Sequence, residues 1–90
     1  MIPRTAIEGL MSYKEVARVD LVDGMGAALS IIVETNGPSF KLFARHKSRK
    51  GVVSDSNWWS FVDKDRALKE QKDKVNEAVD QGWKEQLRIE

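Results

Sequence analysis

Cysteine is absent from this chain of 90 residues. Its absence excludes disulfide bonds, thiolate metal ligands and a cysteine nucleophile, and it is typical of proteins in a reducing compartment. We therefore expect a cytoplasmic protein. Histidine occurs once, as His46, and no second histidine or regularly spaced carboxylate lies near it in the sequence to complete a metal site. The sequence predicts neither a metal nor any other cofactor.

Long apolar runs are also missing. No stretch approaches the roughly 18 to 20 apolar residues that a membrane-spanning helix needs. The opening segment, MIPRTAIEGLMSYKEV, lacks the extended apolar centre of a secretory signal. We expect a protein that is neither exported nor associated with a membrane.

Catalytic motifs are scarce in the same way. No Gly-x-Ser-x-Gly sequence is present, and any serine triad would depend on the single histidine. Gly24 and Gly26 flank Met25, but the third glycine of a phosphate-binding loop is lacking and a strand-like segment follows, so a tight turn is the better interpretation. The sequence predicts a protein that is not an enzyme.

The charge is unevenly distributed. A hydrophobic content of 41% in 90 residues suits one small domain, residues 1–90, whose formal net charge is +1. Residues 41–50, KLFARHKSRK, contain five of the fifteen Lys and Arg residues and no acid, which leaves the remainder at −4. Near-neutrality argues against coating nucleic acid by bulk charge, whereas the local basic patch can still attract phosphate.

Alternation of apolar and polar residues predicts a meander of antiparallel strands. Glycine-containing turns separate the first three at 23–26 and 36–38, and the polar segment HKSRKGVVSDSN predicts a long loop before the fourth. The predicted strands are 15–22, 27–35, 39–46 and 57–62.

Two of these strands carry informative side chains. In the third, Lys41, Phe43 and Arg45 share one face, and the expected exposure of that face makes Phe43 an unusual aromatic. The opposite face carries Phe40, Leu42 and Ala44. In the fourth, Trp58 and Trp59 should point to opposite sides, with Trp58 buried.

A helix is predicted over residues 63–81. Its apolar positions recur at helical spacing, Asp63 is suited to the N-cap, and Gly82 is suited to the position after the C-cap. The residues expected to pack are Leu68, Val75 and Val79. Residues 1–14 are expected to form an arm or short helix, and 82–90 a tail that packs through Trp83, Leu87 or Ile89. The predicted class is α+β: three or four antiparallel strands with one long C-terminal helix on one face.

The basic stretch has two interpretations. It can be a hydrated edge strand and loop, in which lysines discourage edge-to-edge pairing. It can instead bind nucleic acid, with cations on phosphates and an aromatic ring stacked on a base. The residues that would form such a site are Lys41, Phe43, Arg45, His46, Lys47, Arg49, Lys50 and Trp59.

The order of elements resembles that of the WGR domain, the tryptophan-glycine-arginine module of DNA-dependent poly-ADP-ribose polymerases and of some bacterial stand-alone proteins. The resemblance covers residues 16–83 and includes LFARHKSRKG, a short strand and a helix closing on DQGW, while the namesake tripeptide is absent. It implies a nucleic-acid contact near strand ends, relayed to a partner domain, with phosphate held by Arg45, Arg49 and Lys50.

A protein partner is the alternative. Arg and Trp are enriched in binding hot spots, so the same exposed sheet face could bind an acidic protein as a small regulator or inhibitor. Salt dependence separates the two, because counterion release from a phosphate polymer gives a steep slope.

Overall fold

The computed structural model describes residues 13–86, except for the side chains of Asn57 and Trp58. The predicted N-terminal arm or helix, the tail contacts of Leu87 and Ile89, and the burial of Trp58 lie outside the described residues. The elements in chain order are β1 Lys14–Val22, β2 Ala28–Thr35, β3 Phe40–Lys47, β4 Val53–Phe61, α1 Lys64–Asp80 and β5 Lys84–Glu85. The predicted α+β class is confirmed, with the first three strands and the helix within one residue of their expected ends.

The five described strands form one antiparallel sheet in the order β4-β3-β2-β1-β5. Helix α1 packs across one side of it, and the other side is called here the open face. The buried core lies between α1 and the sheet and contains Leu21, Ile31, Val33, Leu42, Ala67, Val75 and Ala78. Strand β2 runs through the middle of the sheet, which explains its almost continuous apolar sequence.

Helix α1 packs through small residues. Its buried positions are Ala67, Gln71, Val75 and Ala78, with Leu68 partly buried beside them. The expectation that Val79 packs against the sheet is wrong, because Val79 is 46% exposed. Successive helical residues are about 100° apart around the helix axis. Because Ala78 faces the sheet, its neighbour Val79 lies at the side of the helix.

Both ends of α1 are capped as the sequence predicts. Asp63 has an extended conformation and its side chain accepts a hydrogen bond from the Asp65 amide. At the other end, Gly82 has φ 105°, a conformation that favours glycine. The amides of Gly82 and Trp83 donate to the carbonyls of Val79 and Ala78, both at 3.0 Å. This Schellman motif reverses the chain and lays Trp83 against the core.

Strand β4 is longer than predicted. It begins at Val53, and the expected long loop is reduced to the five residues from Ser48 to Val52. The Gly51 amide donates to the Ser48 carbonyl, and the Ser48 amide to the Val52 carbonyl, both at 2.9 Å. Residues 53–56 are exposed, so hydrophobic alternation could not reveal them as strand. The β3–β4 turn therefore lies directly at the end of the sheet.

A β-bulge interrupts β4 at the tryptophan pair. Leu42 lies opposite Trp59, whereas Phe43 lies opposite Asn57, which makes Trp58 the additional residue. Trp59 lies on the helix side and is 45% exposed. The Lys74 ammonium lies 4.4 Å from the centre of its ring. A cation from α1 thus covers part of this indole.

Candidate nucleic-acid interface

The predicted basic site is divided among three places. Strand β3 carries part of it on the open face, namely Lys41, Phe43, Arg45 and Lys47. His46 and Trp59 lie on the side of the sheet that faces α1. Arg49 and Lys50 form the tip of the β3–β4 turn. The eight predicted residues therefore do not make one continuous surface.

The open face carries nearly as many acids as bases. The strand register places four carboxylates and four cations from β1 to β4 on it. These side chains are Glu15, Asp20, Glu34, Asp55, Arg18, Lys41, Arg45 and Lys47. Lys84 of β5, paired with Val22, adds one more cation, so the net charge of this face is only +1, too little to concentrate a phosphate polymer.

Phe43 is not available to a ligand. It is 4% exposed and lies opposite Ile32, which is 1% exposed. The Lys41 ammonium lies 5.2 Å and the Arg45 guanidinium 5.7 Å from the centre of the Phe43 ring. The expectation of an exposed aromatic on this face is therefore wrong, because long cationic side chains lie across the ring.

Arg45 already holds a carboxylate. Its Nε and Nη2 atoms donate to the two oxygens of Asp55 at 2.9 and 3.1 Å, a paired geometry that suits a planar guanidinium. These hydrogen bonds lower the pKa of Asp55 below its ordinary value and raise that of Arg45. Both side chains are almost half exposed, so the pair contributes little to stability.

A second pair joins the two hairpin turns. Asp23 lies in the β1–β2 turn, and its Oδ1 atom accepts hydrogen bonds from the amides of Met25 and Ala27 at 2.7 and 3.0 Å. Its Oδ2 atom accepts from Nη2 and Nε of Arg49 at 3.2 and 3.3 Å. The Met25 amide is the main cause of a lowered Asp23 pKa, and the Ala27 amide and Arg49 add to it. The main chain therefore fixes the carboxylate, while the Arg49 side chain, 57% exposed, reaches it from outside.

An aromatic pair lies beside this contact. His46, near the end of β3, and Trp83, just after α1, have ring centroids 5.9 Å apart at an interplanar angle of 88°. The Schellman motif at Gly82 brings Trp83 to this position. His46 is thus a half-buried strand residue, inside the predicted strand 39–46, and is not part of the loop that the segment HKSRKGVVSDSN was expected to form.

The two turns and the aromatic pair enclose a shallow pocket of about 430 Å³, called here the loop pocket. It is lined by Asp23, Ala27, His46, Ser48, Arg49, Lys50 and Trp83. Three of the predicted residues, His46, Arg49 and Lys50, therefore come together here. Guanidinium, ammonium, hydroxyl and aromatic groups in one concavity suit an anionic ligand that also has a flat ring.

Two further lysines lie at the same end of the sheet as the loop pocket, but on the open face. Lys84 of β5, Val22, Ala28 and Lys47 occupy one row of paired residues across the sheet. Three strand spacings of about 4.8 Å put the Lys84 and Lys47 main chains roughly 14 Å apart. Within the described part of the chain, Lys47, Lys50 and Lys84 form no ion pair. The positive charge is thus concentrated at this end of the sheet.

Sequence reasoning missed Asp23, Ser48 and Trp83 as site residues, and it missed the strand that carries Lys84. Trp83 was expected only to pack, and β5 is two residues long, too short for any periodic pattern. A usable signal was the meander itself, because its first and third turns must meet at one end of the sheet. It would have placed Asp23 next to the basic turn.

Residues 13–86 contain no group of three or more potential metal-ligating side chains and no helix suited to crossing a membrane. No family model, curated protein or solved structure matches this chain. The resemblance to the WGR domain therefore stays a prediction, and the chemistry of the loop pocket is the basis for a functional proposal.

Proposed function

We propose that the protein is a small non-enzymatic nucleic-acid-binding module that contacts phosphate through its basic strand and turn, residues 41–50. The observation that carries this proposal is the loop pocket, where Arg49 and Lys50 lie beside the rings of His46 and Trp83. Cations for phosphates and rings for bases are the two components by which proteins bind single strands.

The geometry favours the end of the sheet over the open face as the contact. On the open face Arg45 is held by Asp55 and Phe43 is covered. Lys50, in the lining of the loop pocket, has no carboxylate partner among the described residues, and Asp23 is the one acidic residue in that lining. The WGR resemblance implies phosphate contacts by Arg45, Arg49 and Lys50, and the last two lie together in the turn.

The absence of cysteine agrees with a cytoplasmic site of action, which we include in the proposal.

The decisive experiment is a titration of the protein with short single- and double-stranded DNA and RNA at two salt concentrations. We expect log Kd to change with log salt at a slope that corresponds to about three to five neutralised phosphates. The Arg49→Ala, Lys50→Ala double variant should lower that slope by about two phosphates and weaken binding to every sequence alike.

A matched control removes the same charge elsewhere. Lys69 and Lys72 are exposed on α1, away from the loop pocket, so Lys69→Ala with Lys72→Ala should leave the slope nearly unchanged. Equal effects of the two double variants would mean that bulk charge, and not the turn, attracts the polymer. No binding of any nucleic acid at low salt would overturn the proposal and favour an acidic protein as the partner.

A further inference from the structure

The Asp23–Arg49 contact suggests how the loop pocket is controlled, an inference that rests on the proposed function. We propose that the loop pocket is an anion site occupied by an internal carboxylate. Without a ligand, Oδ2 of Asp23 occupies the position on Arg49 that a phosphate group of a nucleic acid would occupy. When nucleic acid binds, its phosphate replaces the carboxylate.

The two oxygens of Asp23 have different tasks. Oδ1 stabilises the turn, because it accepts hydrogen bonds from the amides of Met25 and Ala27. Oδ2 accepts hydrogen bonds from Nη2 and Nε of Arg49, which lie 3.2 and 3.3 Å away. The contact with Arg49 can therefore break without disturbing the turn.

Arg49 is the partner that can move. Its side chain is 57% exposed, whereas that of Asp23 is 19% exposed and fixed by the main chain. Nη2 of Arg49 also lies 3.2 Å from the Met25 sulfur, a weak acceptor that provides little competition for an anion. A guanidinium binds a phosphate in the same two-pronged manner as a carboxylate. In the exchange Arg49 loses its ion pair with Asp23 and gains one with a phosphate, so the number of ion pairs stays constant.

Asp23→Asn is the informative variant. An asparagine retains Oδ1 for the two amides and replaces Oδ2 with an NH₂ group, which releases Arg49. Exposed ion pairs contribute little, so we expect about twofold to fivefold tighter binding of a fluorescein-labelled single-stranded oligonucleotide. An unchanged melting temperature will show that the turn is intact.

Asp55→Asn is the matched control, because it makes the same charge change beside a paired arginine on the open face. It should alter the affinity much less. In an Arg49→Ala background, Asp23→Asn should produce no gain, since the residue through which it acts is missing. That pattern supports the exchange.

Four outcomes would contradict it. Tighter binding by Asp23→Asn and Asp55→Asn alike would assign the effect to net charge. A gain that persists without Arg49 would assign it to simple repulsion between Asp23 and phosphate. Binding by the wild type with no gain in Asp23→Asn overturns the exchange alone, whereas no binding by either protein overturns the proposed function together with it.

Discussion

Gln71 of α1 donates a hydrogen bond from Nε2 to the main-chain carbonyl of Ile31 in β2, at 2.9 Å. Gln71 is 6% exposed, and Ile31 belongs to the fully buried core. A buried amide without a partner costs about 1 to 3 kcal/mol, so this bond favours one position of the helix along the strand. The apolar contacts around it do not distinguish positions in that way.

Gln71→Met tests this bond, because methionine keeps the length of the side chain and removes the amide. We expect a loss of about 1 kcal/mol in the free energy of unfolding, measured by urea denaturation. Lys72→Met, on the exposed side of the same turn, should change it by less than about 0.5 kcal/mol. Equal stability of Gln71→Met and the wild type would show that packing alone holds the helix in place.

Val75 and Val79 form a second matched pair. Val75 is 7% exposed in the core, whereas Val79 is 46% exposed. Val75→Asp buries an unpaired charge, which should cost about 3 kcal/mol or more and unfold much of the protein. Val79→Asp should remain folded. Thermal melting followed by circular dichroism will compare them, and similar melting of both variants would contradict the observed rotation of α1.

Gly82→Ala tests the turn that positions Trp83. At φ 105° an alanine is strained even though no atom lies within 4 Å of the added Cβ, so we expect a cost of about 1 to 2 kcal/mol. Gly37, at φ 110° in the β2–β3 turn, is an equivalent position far from Trp83. Gly37→Ala should cost a similar amount. Only Gly82→Ala should alter the fluorescence of Trp83, measured with the other two tryptophans replaced by phenylalanine.

Acid should weaken the fold through Asp55. Its pKa is lowered by hydrogen bonds from Arg45, so its contribution is fully present above the ordinary aspartate pKa of about 4. The contribution is lost as the pH falls through the lower pKa of the folded state. We expect the difference in melting temperature between the wild type and Asp55→Asn to shrink between about pH 5 and about pH 2. A constant difference over that range would mean that the pair does not stabilise the protein.

The elements that were predictable from sequence are those defined by nearby residues. The alternation in β1 and β3, the glycine turns and the Asp63 and Gly82 caps each depend on a few neighbouring side chains. Residues 53–56 of β4 are exposed on an edge strand, where no buried face imposes alternation. The sequence therefore predicts a loop for the first half of β4.

The candidate site was only partly predictable, because its contacts join distant segments. Arg49 and Lys50 were identified by their charge. The pairing of Arg49 with Asp23, 26 residues earlier, depends on two turns meeting at one end of the sheet. The covering of Phe43 depends on the conformations of Lys41 and Arg45, about which a sequence pattern carries no information.

The placement of Trp83 has a thermal consequence. One wall of the loop pocket follows directly on the last turn of α1, and helix ends fray at lower temperatures than those at which cores melt. Fraying of this turn together with β5 would withdraw the indole from His46 while β1 to β4 and both hairpin turns persist. We therefore expect the ligand affinity to decline on warming before the cooperative unfolding transition begins, so that the pocket responds to temperature separately from the rest of the domain.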